Sequence, residues 1–217
     1  MTTIRIGAGA GFSGDRIEPA VEVAEKGEVQ YLVFECLAER TIALPQQARM
    51  KDPTQGYDPL LAERMRAVLG TCRAKGIKVV TNMGAANPVA AAEKTAEVAR
   101  GLGLRGLKVA AVTGDDVLDA VRAGDYALDE TGEPVASLGN RLVSANAYLG
   151  AGPIAEALAG GAEVVITGRA ADPELRPKLV EQGLEPVGMP PTAFRRFLEG
   201  DIAKWRELVR AANIKPD

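Results

Sequence analysis

The stretch Ile6-Gly7-Ala8-Gly9-Ala10-Gly11-Phe12-Ser13-Gly14-Asp15-Arg16 joins a short apolar segment to a dense glycine loop. Glycines at this density leave backbone N–H groups uncovered and allow a ligand to come close to the chain. A helix that starts just beyond the loop points the positive end of its dipole at that ligand. The stretch therefore predicts the first strand–loop–helix unit of an α/β fold and a first candidate binding site.

Strand-length and helix-length segments continue to alternate along the chain. Apolar runs predict strands over residues 4–8, 31–36, 78–82, 108–113, 142–146 and 163–167. Amphipathic stretches predict helices over residues 18–26, 59–74, 88–101, 115–123, 153–159 and 192–212. Strands that are almost continuously apolar suit a parallel sheet covered by crossover helices. We predict an α/β fold with a doubly wound, mainly parallel sheet, helices on both faces and a C-terminal amphipathic helix.

Two long connections interrupt this alternation. Residues 37–58 are rich in polar side chains and contain Pro45, Pro53 and Gly56. Structureless connections of that length are usually functional or disordered, so we expect a lid or a flank of the site. Residues 124–139 carry a polar, glycine-containing sequence that predicts an exposed turn or hairpin.

Composition limits the class of protein. The chain has 217 residues and a formal net charge of −3, which gives no electrostatic reason to expect a nucleic acid or membrane partner. No apolar leader follows Met1, and no apolar run approaches the ~18 residues of a membrane span. We therefore expect a cytoplasmic protein. Cys36 and Cys72 lie in apolar surroundings without the spacing of metal ligands, so reduced thiols are expected.

Histidine is absent from the sequence. This removes the usual general base, the Ser-His and Cys-His nucleophile pairs and the commonest metal ligand. Any proton transfer would therefore fall to a carboxylate, Lys, Tyr or Cys, and no metal site is predicted.

Polar residues follow the predicted strands, where open α/β sheets bind their ligands. Glu35 and Asp115 are the candidates for acid/base chemistry, and Asn82 and Asn146 are candidate orienting groups. Arg16 and Arg169 are candidate clamps for a carboxylate or phosphate. The full set of predicted ligand-binding residues is Gly9, Gly11, Ser13, Gly14, Asp15, Arg16, Gly84, Asn87, Thr113, Gly114, Thr167, Gly168 and Arg169. Some of these residues also suit helix capping or turns.

The loop also fits a dinucleotide site. Residues 9–14 read G-x-G-x-x-G, and Glu35 ends the next strand, where a dinucleotide site places its ribose-binding acid. Against this, Asp15 would repel a pyrophosphate, and Pro19 delays the helix start. An NAD(P)-dependent oxidoreductase is therefore the alternative enzyme class, and no cofactor is assigned.

Six ordered motifs resemble the AtuA family of acyclic terpene utilisation proteins. They span residues 6–16, 32–41, 80–88, 112–116, 144–151 and 165–173, and the resemblance covers about residues 1–174. It implies a role in the catabolism of citronellol- and geraniol-type compounds or related acyl compounds, and it leaves the reaction open. Members of the family continue with more of the same domain, which implies a truncated domain here.

The C-terminal tail, about residues 175–217, resembles the end of TctC-like (Bug-type) periplasmic solute-binding proteins. Because the main body of that family and an export signal are missing, we do not expect periplasmic solute capture. Its apolar stripe predicts a docking face, formed by Phe194, Phe197, Leu198, Ile202, Trp205, Leu208 and Val209. The chain is thus interpreted as an AtuA-like domain, residues 1–174, joined to a TctC-like tail.

Three functions remain open at this stage. The first is an AtuA-like protein that binds a small anionic or acyl ligand at the strand ends, and the second is the NAD(P)-dependent oxidoreductase. The third is a non-catalytic remnant, fused protein or assembly subunit, with a homo-oligomer or partner chain supplying the missing family segment. Whether the chain is an enzyme is left open.

Overall fold

The computed structural model describes residues 3–170, which contain a five-stranded, fully parallel sheet. The strand order is β1-β2-β3-β5-β4. The strands are β1 (Ile6–Ala10), β2 (Tyr31–Phe34), β3 (Lys78–Thr81), β4 (Val109–Val112) and β5 (Val164–Thr167). The predicted α/β class is confirmed. The predicted C-terminal helix and the TctC-like tail lie outside the described residues.

Helices connect and cover these strands. They are α1 (Glu18–Lys26), α2 (Glu39–Lys51), α3 (Leu61–Lys75), α4 (Pro88–Gly101), α5 (Leu118–Ala123) and α6 (Gly152–Ala159), with a 3₁₀ segment at Val135–Arg141. The predicted bounds of α1 and α4 are confirmed. Each helix has a proline in its first turn, and the fixed φ of proline suits a helix start. Both starts could therefore be predicted from the sequence.

The two faces of the sheet are covered by different helices. Helices α1, α3 and α4 lie side by side on one face, over a core that includes Leu32, Phe34 and Val79. Helix α6 packs on the other face against Val112 and Val165. The chain therefore crosses one face from β1 to β4 and returns over the opposite face to β5, which makes the sheet doubly wound.

Two sequence predictions were wrong. Residues 142–146 do not form a strand of the sheet. The segment instead folds over the loop after β4, where Val117 N donates to Ala145 O and Asn146 makes an isolated bridge with Asp116. Residues 37–58 are not structureless, since they contain α2. Pro45 disfavours a helix on propensity alone, but it lies buried inside α2.

The second interruption agrees with its prediction. Ala127 and Pro134 form an isolated antiparallel bridge, and Leu128 N donates to Glu133 O at 2.8 Å. The segment therefore turns back on itself as a short hairpin. Within residues 3–170, no helix is long and apolar enough to cross a membrane.

Candidate functional site

The predicted site residues, apart from Asn146 in the connection between β4 and β5, lie at the carboxyl ends of the five parallel strands, along one edge of the sheet. The strand order divides them into two groups. The loops after β1, β2 and β3 form the first cluster, which holds the glycine loop, Glu35 and Asn82. The loops after β4 and β5 form the second cluster, which holds Asp115, Asn146 and Arg169.

A fully buried arginine holds the glycine loop of the first cluster. Arg64 lies on α3, and its Nη2 donates to the carbonyl oxygens of Ser13 at 2.8 Å, Asp15 at 3.0 Å and Phe12 at 3.4 Å. Its Nη1 donates to Cys36 Sγ at 3.2 Å. The main chain of the loop is thus fixed from inside the protein, by a side chain from a helix that follows β2.

Asp58 neutralises this arginine and also holds the loop. The Asp58 carboxylate is buried, with Oδ1 3.5 Å from Arg64 Nη1. Ser13 Oγ donates to Asp58 Oδ2 at 2.6 Å, and Leu60 N donates to Oδ1 at 2.8 Å. The Ser13 hydroxyl, predicted to bind a ligand, therefore has an internal acceptor in this structure.

An open cavity of about 430 Å³ lies against the glycine loop. Its lining residues are Ala8, Gly9, Ala10, Gly11, Gly14, Asp15, Arg16 and Pro19. Asp15 Oδ2 accepts a hydrogen bond from Gly11 N at 2.8 Å. The Arg16 side chain makes no ion pair within the described part of the chain, so it is available to a bound anion.

Glu35 is fixed on one side only. Its Oε1 accepts hydrogen bonds from Asn82 Nδ2 at 2.8 Å and from Leu37 N at 3.2 Å. Asn82 Oδ1 in turn accepts from Cys36 N at 2.7 Å. Oε2 of Glu35 accepts no hydrogen bond within residues 3–170, and the side chain is exposed. The structure thus brings Glu35 and Asn82 together as a carboxylate with its orienting group.

The thiol of Cys36 is a poor nucleophile in this setting. Burial raises the pKa of Cys36 from 9.0 to about 12, although the adjacent Arg64 guanidinium acts in the opposite direction. Only the thiolate is strongly nucleophilic. Despite its position beside Glu35, Cys36 is therefore a packing residue and a sulfur acceptor for Arg64.

Asp115 is the centre of the second cluster. Its side chain is buried, and its Oδ2 accepts from Arg169 N at 2.9 Å and from Asn146 Nδ2 at 3.3 Å. The structure therefore brings Asp115, Asn146 and Arg169 together, although Asn146 does not follow a strand as predicted, since residues 142–146 form none. These hydrogen bonds connect the loop after β4 with the loop after β5, so Asp115 has a structural role here.

The Arg169 side chain has two side-chain partners among the described residues. Its Nη1 donates to Tyr148 Oη at 2.6 Å, and its Nη2 lies 3.5 Å from Glu39 Oε1. Glu39 is the first residue of α2. Its own backbone N–H, and after it the Arg169 guanidinium, lower the pKa of the Glu39 carboxyl.

Several predicted binding residues have packing tasks. A Cβ on Gly84 would lie 2.5 Å from Thr167 O, and one on Gly168 would lie 2.2 Å from Asp115 Oδ2, so close approach of the main chain explains both glycines. Asn87 caps α4 through its Oδ1 and Ala90 N.

The hydroxyl of Thr167 is buried and donates to Gly168 O. Thr113 and Gly114 are exposed at the end of β4. A ligand-binding role stays a prediction for these three residues and for Gly84, Asn87 and Gly168.

Helix α2 flanks both clusters. Arg49 Nη1 donates to Ala86 O at 2.7 Å, in the loop after β3, and to Asp116 Oδ2 at 3.0 Å, in the loop after β4. Gln46 Nε2 donates to Val143 O at 3.0 Å. The predicted position of residues 37–58 at the flank of the site agrees with these contacts.

Sequence reasoning missed Arg64 and Asp58, which organise the first cluster. One signal was present, because Arg64 lies three residues after Leu61 and four before Val68, on the apolar face of α3. A charged residue on such a face requires a buried partner. In residues 3–170, no group of three or more Cys, Asp or Glu side chains is arranged to hold a metal ion.

A family model described as acyclic terpene utilisation family protein AtuA matches residues 4–176. No curated protein and no solved structure matches the chain.

Proposed function

Because the chain belongs to the AtuA family of acyclic terpene utilisation proteins, we propose that it binds a small anionic or acyl ligand at the carboxyl ends of its strands. The ligand would belong to the catabolism of acyclic terpenes of the citronellol and geraniol type, or of related acyl compounds. The first cluster is the proposed site.

The observation that carries this proposal is the pairing of Glu35 with Asn82 beside the glycine loop. An exposed carboxylate with one oxygen held by an amide, and the other without a hydrogen-bond partner among the described residues, has a fixed direction and a free lone pair. Such a group can act as a general acid or base towards a ligand held nearby. Glu35 is therefore the proposed acid/base group, and Asn82 is its orienting group.

Asp115 suits that role less well than Glu35. It is buried, and its Oδ2 accepts hydrogen bonds from a backbone N–H and a side-chain amide. A carboxylate bound in this way holds loops in place. We assign Asp115 and Asn146 to the architecture of the strand-end loops, and an anion-clamp role for Arg169 stays a prediction.

The G-x-G-x-x-G loop keeps an NAD(P)-dependent oxidoreductase as the second candidate. In dinucleotide-binding sheets the fingerprint follows a strand at the point where the strand order reverses. Within the described residues β1 is instead an edge strand, and the reversal involves β4 and β5. The strand order therefore disfavours the second candidate.

Thermal unfolding with a panel of ligands tests the proposal. Inorganic phosphate, citronellate and its coenzyme A thioester should each be titrated, because a ligand at about 100 times its Kd adds about 2.7 kcal/mol of stability. Gly11→Val should abolish that stabilisation without unfolding the chain, since no atom of residues 3–170 lies within 4 Å of a Cβ at Gly11. Undiminished stabilisation in Gly11→Val would remove the glycine loop from the site.

A fluorescence titration with NADH separates the two candidates. Saturable enhancement that weakens on Glu35→Ala, but not on the exposed control Glu22→Ala, would favour the dinucleotide site. An absence of enhancement at millimolar NADH or NADPH would leave the small anionic or acyl ligand as the surviving candidate.

A further inference from the structure

The contacts of Arg64 fix the direction of three peptide groups in the glycine loop. Its guanidinium binds the carbonyl oxygens of Phe12, Ser13 and Asp15. In a trans peptide the C=O of one residue and the N–H of the next point in opposite directions. The N–H groups of Ser13, Gly14 and Arg16 therefore point away from Arg64.

These three N–H groups have no acceptor in the part of the chain that the structure describes. None of the three donates a hydrogen bond to any group within residues 3–170. Gly14 and Arg16 also line the 430 Å³ cavity. Asp15 N, which lies between those of Gly14 and Arg16 in sequence, donates to Phe12 O at 3.1 Å and is not one of the group. Outward N–H groups of a turn can form an anion-binding concavity. We call the N–H groups of Ser13, Gly14 and Arg16 the amide nest.

The energetics of Arg64 argue for a role beyond stability. The side chain is completely buried, and its Nε has no hydrogen-bond partner among the described residues. Replacing a buried ion pair with apolar side chains is often neutral or stabilising. An apolar residue at this position of α3 would fill the core, but it would leave the loop carbonyls unheld.

We infer that Arg64 is a positioning residue that builds an oxyanion site from the amide nest, and that the ligand group bound there is a carboxylate or phosphate. This inference rests on the proposed function, which places an anionic ligand at the strand ends. Arg64 contributes through the main chain of the loop and does not touch the ligand. Asp58 neutralises its charge, so the attraction for the anion comes from the three amides and the exposed Arg16 side chain.

The negative charge of the Asp15 carboxylate would repel an anion bound at the glycine loop. The carboxylate already accepts Gly11 N at 2.8 Å and adds a negative charge to the loop. Asp15→Asn removes that charge while keeping an oxygen for Gly11 N. Phosphate affinity should then rise by about fivefold, as expected for removing one repulsive charge at the protein surface.

Amide NMR of the full chain tests the inference directly. Inorganic phosphate and acetate are titrated into the wild type, Arg64→Lys and the control Arg66→Lys, an exposed position two residues along the same helix. The amide signals of Ser13, Gly14 and Arg16 should shift saturably in the wild type and in Arg66→Lys. Arg64→Lys loses the planar fork, so phosphate should bind about tenfold or more weakly.

The outcomes separate the inference from the proposed function. Equal phosphate affinity in Arg64→Lys and the wild type would overturn the role of Arg64 and leave the site standing. Saturable shifts confined to amides after β3, β4 or β5 would overturn the amide nest and leave a strand-end ligand. An absence of saturable shifts anywhere in the wild type, with both anions, would overturn the inference and remove an anionic ligand from the proposed function.

Hydrogen exchange provides a test that needs no variant. If Arg64→Lys does not fold, exchange of the Ser13, Gly14 and Arg16 amides in the wild type is measured with and without phosphate. Outward, unbonded amides exchange fast, and a bound anion slows them. Slow exchange without phosphate, or exchange that phosphate does not change, would overturn the nest.

Discussion

The Glu35 carboxylate and the Asn82 side-chain amide are joined by a hydrogen bond of 2.8 Å. The two residues belong to neighbouring parallel strand ends, and Asn82 also accepts the backbone N–H of Cys36. One amide therefore fixes both the main chain and the side chain at the end of β2. The direction of the candidate acid/base group depends on a residue 47 positions along the chain.

Asn82→Ala should lower the free energy of unfolding by about 1–2 kcal/mol, because it leaves a partly buried N–H without an acceptor and frees the Glu35 carboxylate. Urea denaturation measures the change. Asn140→Ala, at an exposed position, is the matched control and should change stability by less than about 0.5 kcal/mol. Equal stability of Asn82→Ala and the wild type would show that the bond does not hold β2 and β3 together at this edge.

Gly9→Ala should be much more destabilising than Gly11→Ala. A Cβ at Gly9 would lie 2.6 Å from Cε1 of the buried Phe34 ring, whereas a Cβ at Gly11 would meet no described atom within 4 Å. Overpacking of this kind costs about 1–3 kcal/mol, and the exposed change at Gly11 should cost less than about 0.5 kcal/mol. Thermal unfolding of the two variants makes the comparison. A Gly9→Ala variant as stable as Gly11→Ala would show that Phe34 moves aside without cost.

The alternation of apolar runs and amphipathic stretches was sufficient to predict the five strands found within residues 3–170 and the class of the fold. A strand apolar on both faces, such as Val164–Thr167, has few alternatives to the middle of a sheet. Residues 142–146 failed because a short apolar run also suits a loop that packs on its neighbours. Helix α2 was missed because a proline inside a segment predicts the end of a helix. The burial of Pro45, which depends on tertiary packing, cannot be read from the local sequence.

The sequence predicted where the candidate residues lie, but it did not predict which of them contact each other. Glu35, Asn82, Asp115 and Arg169 were placed at strand ends by the pattern alone. Which of them meet depends on the strand order, and the insertion of β5 between β3 and β4 cannot be read from local sequence. Arg64 was missed because arginine is a common helix former that usually lies at the surface. The burial of Arg64 depends on the loop carbonyls that its side chain binds.

The two cysteines should make the protein less stable in alkali. Burial raises the pKa of Cys36 from 9.0 to about 12 and that of Cys72 from 9.0 to about 11. Above pH 9 the unfolded chain loses thiol protons that the folded chain keeps, so the free energy of unfolding falls as pH rises from 9 towards these values.

Urea denaturation at pH 8 and pH 10 measures the fall in stability, and Cys72→Ala should reduce it. Both thiols should also resist iodoacetamide at pH 8 in the folded protein and react after unfolding. Rapid alkylation of folded Cys36 would contradict its burial and reopen its role as a nucleophile.

Asp115 and its neighbour Asp116 should respond differently to the same substitutions. Asp115→Ala leaves Arg169 N and Asn146 Nδ2 without their acceptor, which should cost about 2–3 kcal/mol. Asp116→Ala removes an exposed ion pair with Arg49, which should cost no more than about 1 kcal/mol.

Asp115→Asn keeps an oxygen that can accept both hydrogen bonds, so it should be more stable than Asp115→Ala and should keep the ligand affinity of the wild type. Chemical denaturation and ligand titration of the three variants test this. A stable Asp115→Asn that binds ligand but has lost a measured activity would transfer the acid/base role from Glu35 to Asp115.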